Sequence, residues 1–226
     1  MKPGQRFPSP SGFPVSRNAG GFTLVELLTV ISILGVLGYL LSSGYSRVRQ
    51  RASLVRCTSN LRQMSTAFNL YAAEHNGVLP AASVSAAWPM NTWYYQLQPY
   101  LEQRKTGATM TNLNLCFTGV FRCPGKPNWG LKNTTDVERT SYAMNAFAPE
   151  GGSPVAKRLT EIPEPARTML VIDTNSGSIY VRNRNYIYRD SRALWHQERD
   201  NVLFVDGHVE AIAKNGLDYQ LLKPEP

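Results

Sequence analysis

The chain has 226 residues, 42% hydrophobic and 18% charged, enough for one domain of ordinary size plus an appendage. With 4 Trp, 11 Tyr and 8 Phe it is too apolar to be disordered, and its single long apolar run excludes a polytopic membrane protein. The formal net charge is +8, but Lys2, Arg6 and Arg17 fall in the first twenty residues, which hold no acid, so nucleic-acid binding does not follow from the basic excess. Three cysteines are too few for a disulfide-stapled miniprotein.

Residues 1–21 are rich in Pro, Gly and Ser and are expected not to fold. Phe22–Leu41, FTLVELLTVISILGVLGYLL, follows with twenty residues and one charge, Glu26. As a helix it spans roughly 30 Å, one hydrocarbon thickness. The basic side precedes it, which keeps the amino terminus cytoplasmic and exports the rest. The run is longer than the apolar part of a secretory signal peptide and lacks a small-x-small site at its end, which leaves a signal anchor as the plain alternative. Glu26 argues for more than an anchor. A carboxylate within such a span costs on the order of 2–3 kcal/mol at mid-membrane and needs a partner. A cut after Gly21 would supply one, the new α-amino group of Phe22, within one chain or between neighbours.

These residues carry a resemblance. The segment GGFTLVELLTVISILGVL resembles the amino-terminal motif of type IV prepilins and type II secretion pseudopilins. The resemblance implies cleavage between Gly21 and Phe22 by prepilin peptidase, methylation of the amino group of Phe22, and a role for Glu26 in setting subunit register in a filament. Ser43 stands where many pilins carry a proline, and a helix break is expected instead at Ser42-Ser43-Gly44.

Beyond the span, Leu54, Cys57, Leu61, Met64, Phe68 and Tyr71 recur at spacings of 3 and 4, one face of an α-helix. His75-Asn76-Gly77 predicts a left-handed cap, with Pro80 beyond it. The expected organisation is a leader over 1–21, a transmembrane helix over 22–41, an amphipathic extension over 42–77 and an exported globular domain over 78–226. In that domain, Asn91–Gln103 predicts a short helix with Trp93, Leu97 and Leu101 on one side, kinked or split at Pro99. Gly119–Arg122 reads as a short strand and Arg167–Asp173 as a buried one. Ser178–Arg182 and Tyr186–Arg189 read as one hairpin. Asn201–Val205 and His208–Ile212 read as another, around an Asp206-Gly207 turn in which both residues take positive φ. A long helix followed by antiparallel strands makes the fold class α+β.

The same region resembles a large bacterial family of pseudopilin-like proteins whose carboxyl-terminal mark is a His, nine residues, then Asp-Gly. Here these are His196, Asp206 and Gly207, within WHQERDNVLFVDGHVEAI. Further matching pieces are CTSNLRQMSTAFNLYAAEHNGVLP, LQPYLEQ, FRCP, SYAMN and PARTMLVID. The resemblance implies a pilin-like architecture, a long helix packed on a small antiparallel sheet.

His196 and Asp206 read first as structural, the Asp-Gly making a turn and His196 tying the preceding loop to the hairpin. The alternative is a metal site of His196, Asp206 and His208. No zinc spacing such as H-E-x-x-H or C-x-x-C occurs, and the acidic loop that calcium needs is not evident, so no cofactor is expected and calcium is the one candidate. Export permits disulfides. Cys57–Cys123 is the favoured pair, tying the helix to the domain and leaving Cys116 free; Cys116–Cys123 is the rival. No G-x-S-x-G and no phosphate-cradling loop occurs, and a non-enzymatic protein is expected.

The expected function is a structural pseudopilin subunit in a periplasmic filament of a type II secretion-like system. Its expected partners are prepilin peptidase, other pseudopilin subunits in homo- and hetero-oligomers, the secretion or pilus assembly platform and the inner membrane, with no nucleic acid. The expected location is the bacterial inner membrane, single-pass, with the carboxyl-terminal domain extracytoplasmic. The alternative is a minor or tip subunit of a type IV pilus, serving adhesion or DNA uptake, with Arg182, Arg184 and Arg189 as its contacts.

Overall fold

The computed structural model describes residues 21–83, 92–101, 119–126, 141–148, 154–174, 180–181, 195–213 and 216. Two compact units divide the chain, Met1–Tyr45 and Ser46–Pro226, and the first helix, α1 (Leu24–Glu74), contributes to both.

In the first unit α1 opens with a capping box. The Thr23 side chain accepts from the Glu26 backbone N–H at 3.3 Å, and Glu26 Oε2 reaches back to the Thr23 N–H at 2.9 Å and hydroxyl at 2.8 Å. Every described side chain from Leu24 to Leu40 is exposed, Leu24 at 80%, Leu34 at 61% and Leu40 at 59%. The backbone stays helical through Ser42-Ser43-Gly44, so the expected break does not occur. Among the described residues no helix is long and apolar enough to cross a membrane. The run whose side chains are described, Leu24–Leu40, covers about 25 Å, a few ångströms short of a hydrocarbon core.

In the second unit, α1 buries Cys57, Leu61, Met64, Ala67, Phe68 and Ala72. It ends in a Schellman cap: Asn76 (φ 54) and Gly77 (φ 77) are left-handed, and the Gly77 N–H donates to Ala72 O at 2.7 Å. The chain leaves the cap as an extended segment that pairs with residues 157–159, through Leu79 N–H to Lys157 O and Leu159 N–H to Gly77 O, both at 2.8 Å. A short helix, α2 (Trp93–Leu97), runs straight into a 3-10 turn at Gln98–Tyr100, where Pro99 stops α-helical pairing. Gly119–Phe121 is a 3-10 turn rather than a strand. It places Val120 and Phe121 in the core, with Phe121 edge-on to Trp93 and Tyr94.

The sheet has five strands: β1 (Tyr142–Asn145), β2 (Met169–Asp173), β3 (Tyr180–Val181), β4 (Arg199–Phe204) and β5 (Val209–Ala213), ordered β3-β1-β2-β4-β5. It is mixed, not antiparallel as expected, because β3 pairs with β1 in parallel. The strand expected to form a hairpin with β3, Tyr186–Arg189, and the three arginines assigned to binding lie outside the described residues. Alternation sorts the strands into two apolar clusters. Tyr142, Met144 and Leu203 join the helix cluster, while Ala143, Val202 and Phe204 form a second one. Along β2 a register shift between Met169 and Val171 puts both Leu170 and Val171 on the helix side.

The β4–β5 connection differs from the two-residue turn expected. Leu203 opposes Val209, Phe204 and His208 bond at 2.9 Å, and the Gly207 N–H donates to Phe204 O at 3.0 Å. Only Gly207 has positive φ, 95°. This is the three-residue loop, a tight turn closed by a left-handed glycine. A Cβ at Gly207 would lie 2.8 Å from Ser65 Oγ on α1, so the loop also seats against the helix. Gly207→Ala is therefore expected to lower stability by about 1–2 kcal/mol, from the left-handed backbone and the crowded hydroxyl together. Adding Ser65→Ala should restore only part of this in urea unfolding. Full restoration would mean that the backbone carries no strain.

Candidate functional site

At the amino terminus, Gly21 and Phe22 are exposed and Phe22 immediately precedes the cap residue Thr23. Glu26 does two jobs that sequence reasoning treated as one. Its Oε2 closes the capping box, which the pattern Thr23-x-x-Glu26 could have signalled, and the carboxylate remains the only charge from Phe22 to Leu41.

The second site is buried. A disulfide joins Cys57 on α1 to Cys123, with Cα atoms 5.2 Å apart; Cys116 lies outside the described residues. His196 Nε2 sits 3.1 Å from Cys123 Sγ. A disulfide sulfur has no hydrogen to give, so Nε2–H donates, which leaves Nδ1 as a buried acceptor with no partner. His196 Nε2 is also 3.7 Å from Asp173 Oδ2, and both side chains are fully enclosed. The ring is held by local geometry. A Cβ on Gly125 would come within 2.5 Å of it, and Gln197 (φ 58) and Glu198 (φ 60) are both left-handed, an arrangement that costs on the order of 1–2 kcal/mol per residue. Two successive non-glycine residues in that state turn the chain sharply between His196 and β4.

Asp173, the last residue of β2, accepts at Oδ1 from the Asn201 N–H at 2.8 Å and at Oδ2 from Asn201 Nδ2 at 3.1 Å. Burial, and then the charge of Asp200, push its carboxyl well above the usual carboxylate range, against the two Asn201 hydrogen bonds. Burial moves His196 the other way, below the ordinary histidine value. Both shifts favour neutral forms, so the 3.7 Å approach is a contact between neutral groups rather than an ion pair.

This gives a pH prediction for the disulfide-bonded chain. Asp173 binds its proton more tightly folded than unfolded, so its contribution to stability is present at low pH and is lost as pH rises toward the folded-state value. His196 has the opposite sign: its contribution is lost as pH falls below its ordinary range. Asp173→Asn removes the Asp173 contribution alone, and the unpartnered Asn201 Oδ1 can accept from the new amide. The Tm of the variant minus that of the parent should therefore widen by several degrees between about pH 4 and pH 8, at roughly 1.4 kcal/mol per unit of pKa shift. A flat difference would show that Asp173 titrates as an ordinary carboxylate.

Asp206 does not join this site. It stands beyond the opposite end of the six-residue strand β4, on an exposed turn, where its Oδ1 accepts from the His208 N–H at 3.0 Å and meets His208 Nδ1 at 2.6 Å. His208 stacks on Phe204 at 4.2 Å. The expected set of His196, Asp206 and His208 is thus divided: His196 has Cys123 and Asp173 beside it, and Asp206 pairs with its own turn. Asp173 was missed as a site residue, although an acid closing the apolar run RTMLVID was the signal. Beside the buried cluster lies an open cleft of about 610 Å³, lined by Arg49, Arg122, Pro124, Gly125, Lys126 and Trp195. Lys126 Nζ lies 5.4 Å from the Trp195 ring centre.

Residues 16–38 match the prokaryotic N-terminal methylation motif, the signal of type IV pilins and pseudopilins and the substrate signal for prepilin peptidase. It supports a type IV pilin-like or pseudopilin protein and suggests membrane association; proteins that carry this motif assemble with other pilin subunits. No curated protein and no solved structure matches the chain.

Proposed function

We propose that this chain is a structural, non-enzymatic pseudopilin of a type II secretion-like system. Prepilin peptidase cuts it between Gly21 and Phe22, and the new amino group is methylated. Phe22–Leu41 then holds the mature subunit in the inner membrane with the carboxyl-terminal domain outside the cytoplasm. Subunits pack these helices side by side into a periplasmic filament on the assembly platform. The observation that carries the reading is a helix that begins at the methylation motif, exposes every described apolar side chain from Leu24 to Leu40, and holds a single carboxylate near its start. Such a surface needs lipid or other helices around it, because water would be a poor solvent for it.

In the filament core, the free oxygen of Glu26 receives the Phe22 amine of a neighbour, while Oε2 stays in its own cap. Removing one member of a buried charge pair costs about 3–5 kcal/mol, more than a hundredfold in an association constant. Glu26→Ala should leave membrane insertion intact and reduce recovered filament by at least that factor relative to parent. Unchanged filament yield would sink the role. The intact mass of the parent chain from native membranes should fit a chain that begins at singly methylated Phe22.

A further inference from the structure

We propose that Cys57, Cys123, His196 and Asp173 form a binding site for a zinc-class divalent cation when the disulfide is reduced. Sγ of Cys57, Sγ of Cys123 and a ring nitrogen of His196 all lie within 4.8 Å of one another and are buried. A tetrahedral zinc ion with its usual bond lengths places sulfur and nitrogen about 3.6 Å apart, nitrogen and oxygen about 3.4 Å apart, and two sulfurs about 3.8 Å apart. The protein holds Cys123 Sγ and His196 Nε2 at 3.1 Å, and Nε2 and Asp173 Oδ2 at 3.7 Å. Two of the required separations, both measured from His196, are thus nearly met before any ion arrives. The two sulfurs must part, and Asp173, which lies outside that 4.8 Å group, must close on them.

The surroundings suit that use. Asn201 donates to both carboxylate oxygens of Asp173 and so fixes its direction, as outer groups do around bound metals. Gly125 leaves room for the imidazole, and Gly125 and Pro124, which follows Cys123, both line the open cleft. The cleft's Arg49, Arg122 and Lys126 favour an approaching thiolate.

The chemistry balances in two stages. A dithiol reductant gives two electrons and two protons; the Cys57–Cys123 bond breaks to two thiols, and the reductant becomes a disulfide. The cation then displaces both thiol protons and the Asp173 carboxyl proton to solvent, while the imidazole proton moves from Nε2 to Nδ1. Disulfide and metal exclude one another because they use the same sulfurs, so the site is open only to the reduced chain.

The test uses the full-length chain in detergent with Cys116→Ser, leaving one thiol pair. The chain is reduced anaerobically with a phosphine and titrated with Co²⁺. The expected result is one Co²⁺ per chain, with near-ultraviolet thiolate-to-cobalt charge transfer and the strong visible bands of four-coordinate cobalt, and no such bands before reduction. His196→Ala should weaken binding at least tenfold and diminish the visible bands. Asp173→Asn, which keeps the shape of the side chain, should shift those bands and weaken binding about tenfold, and it decides the matter should His196→Ala fail to fold. Absence of charge transfer in the reduced chain would overturn the proposal. So would a spectrum and affinity unaltered by Asp173→Asn and, where it folds, His196→Ala.

Discussion

Replacing both Cys57 and Cys123 by serine lowers the Tm of the domain over residues 46–226 by about 10 °C. The two cysteines are 66 residues apart in sequence. Closing a loop of that size removes denatured-state entropy worth about 4 kcal/mol at 25 °C. For a domain of this length each kcal/mol moves Tm by roughly 2–4 °C. The serine pair also leaves two hydroxyls at fully buried positions, which adds to the loss. Calorimetry of the oxidised parent and the double variant reads the effect directly. A shift below about 3 °C would show that the unfolded chain is already compact around these positions, so that the cross-link removes little freedom from it.

Trp93→Ala is the most damaging single change expected in the core. Trp93 is fully buried, stacks on Tyr94 at 3.9 Å and on Phe68 at 5.7 Å, and meets the edge of Phe121 at 5.8 Å. The three partners come from α1, α2 and the 3-10 turn at residues 119–121, so this ring joins the helix to two short elements that pack little surface of their own. Truncating a buried tryptophan to alanine costs about 3–5 kcal/mol through lost transfer and the cavity left behind. Lost ring pairing is included in that range, at about 0.5–1.5 kcal/mol per aromatic pair. Urea unfolding should show the midpoint fall with the slope unchanged. Trp93→Phe should recover more than half of the loss, because a smaller ring can still stack on Tyr94. Equal losses for Ala and Phe would shift the explanation from ring packing to the indole nitrogen.

Much of the frame could be read from residue order because local rules and tertiary packing agree there. The stripe from Cys57 to Phe68 is buried on the face its spacing gives, and Asn76-Gly77 supplies the left-handed residues that end the helix. Met169–Asp173 was an apolar run with nowhere to go but the middle of a sheet, and all five residues are buried. The errors fall where the local signal is compatible with two outcomes. Asp-Gly serves both two-residue and three-residue loops, and pairing of Phe204 with His208 selects the longer one. Gly119–Phe121 has strand-like composition, yet the 3-10 turn is what carries Val120 and Phe121 into the core. The parallel pairing of β3 with β1 depends on partners far apart in sequence, which periodicity within one segment does not encode. The same holds for the buried site. His196 and Asp206 are linked by a fixed interval in the chain, but β4 carries them to opposite ends, and the groups beside His196 come from positions 123 and 173.

Among the described side chains of α1, Cys57 is the first that is fully buried, counting from the amino-terminal side. An adhesive joint peeled from one edge fails under small loads, since only the contacts at the front carry force at any moment. Pulled in shear, the same joint loads all of its contacts together. A covalent rivet at the leading edge of the helix–domain seam forbids peeling. Tension entering through the preceding turns of the helix must then be borne by the sulfur–sulfur bond and by Leu61, Met64 and Phe68 acting in parallel. Reducing that one bond would leave the domain's atoms nearly where they were and change how the seam gives way, from simultaneous rupture to sequential unzipping at much lower force.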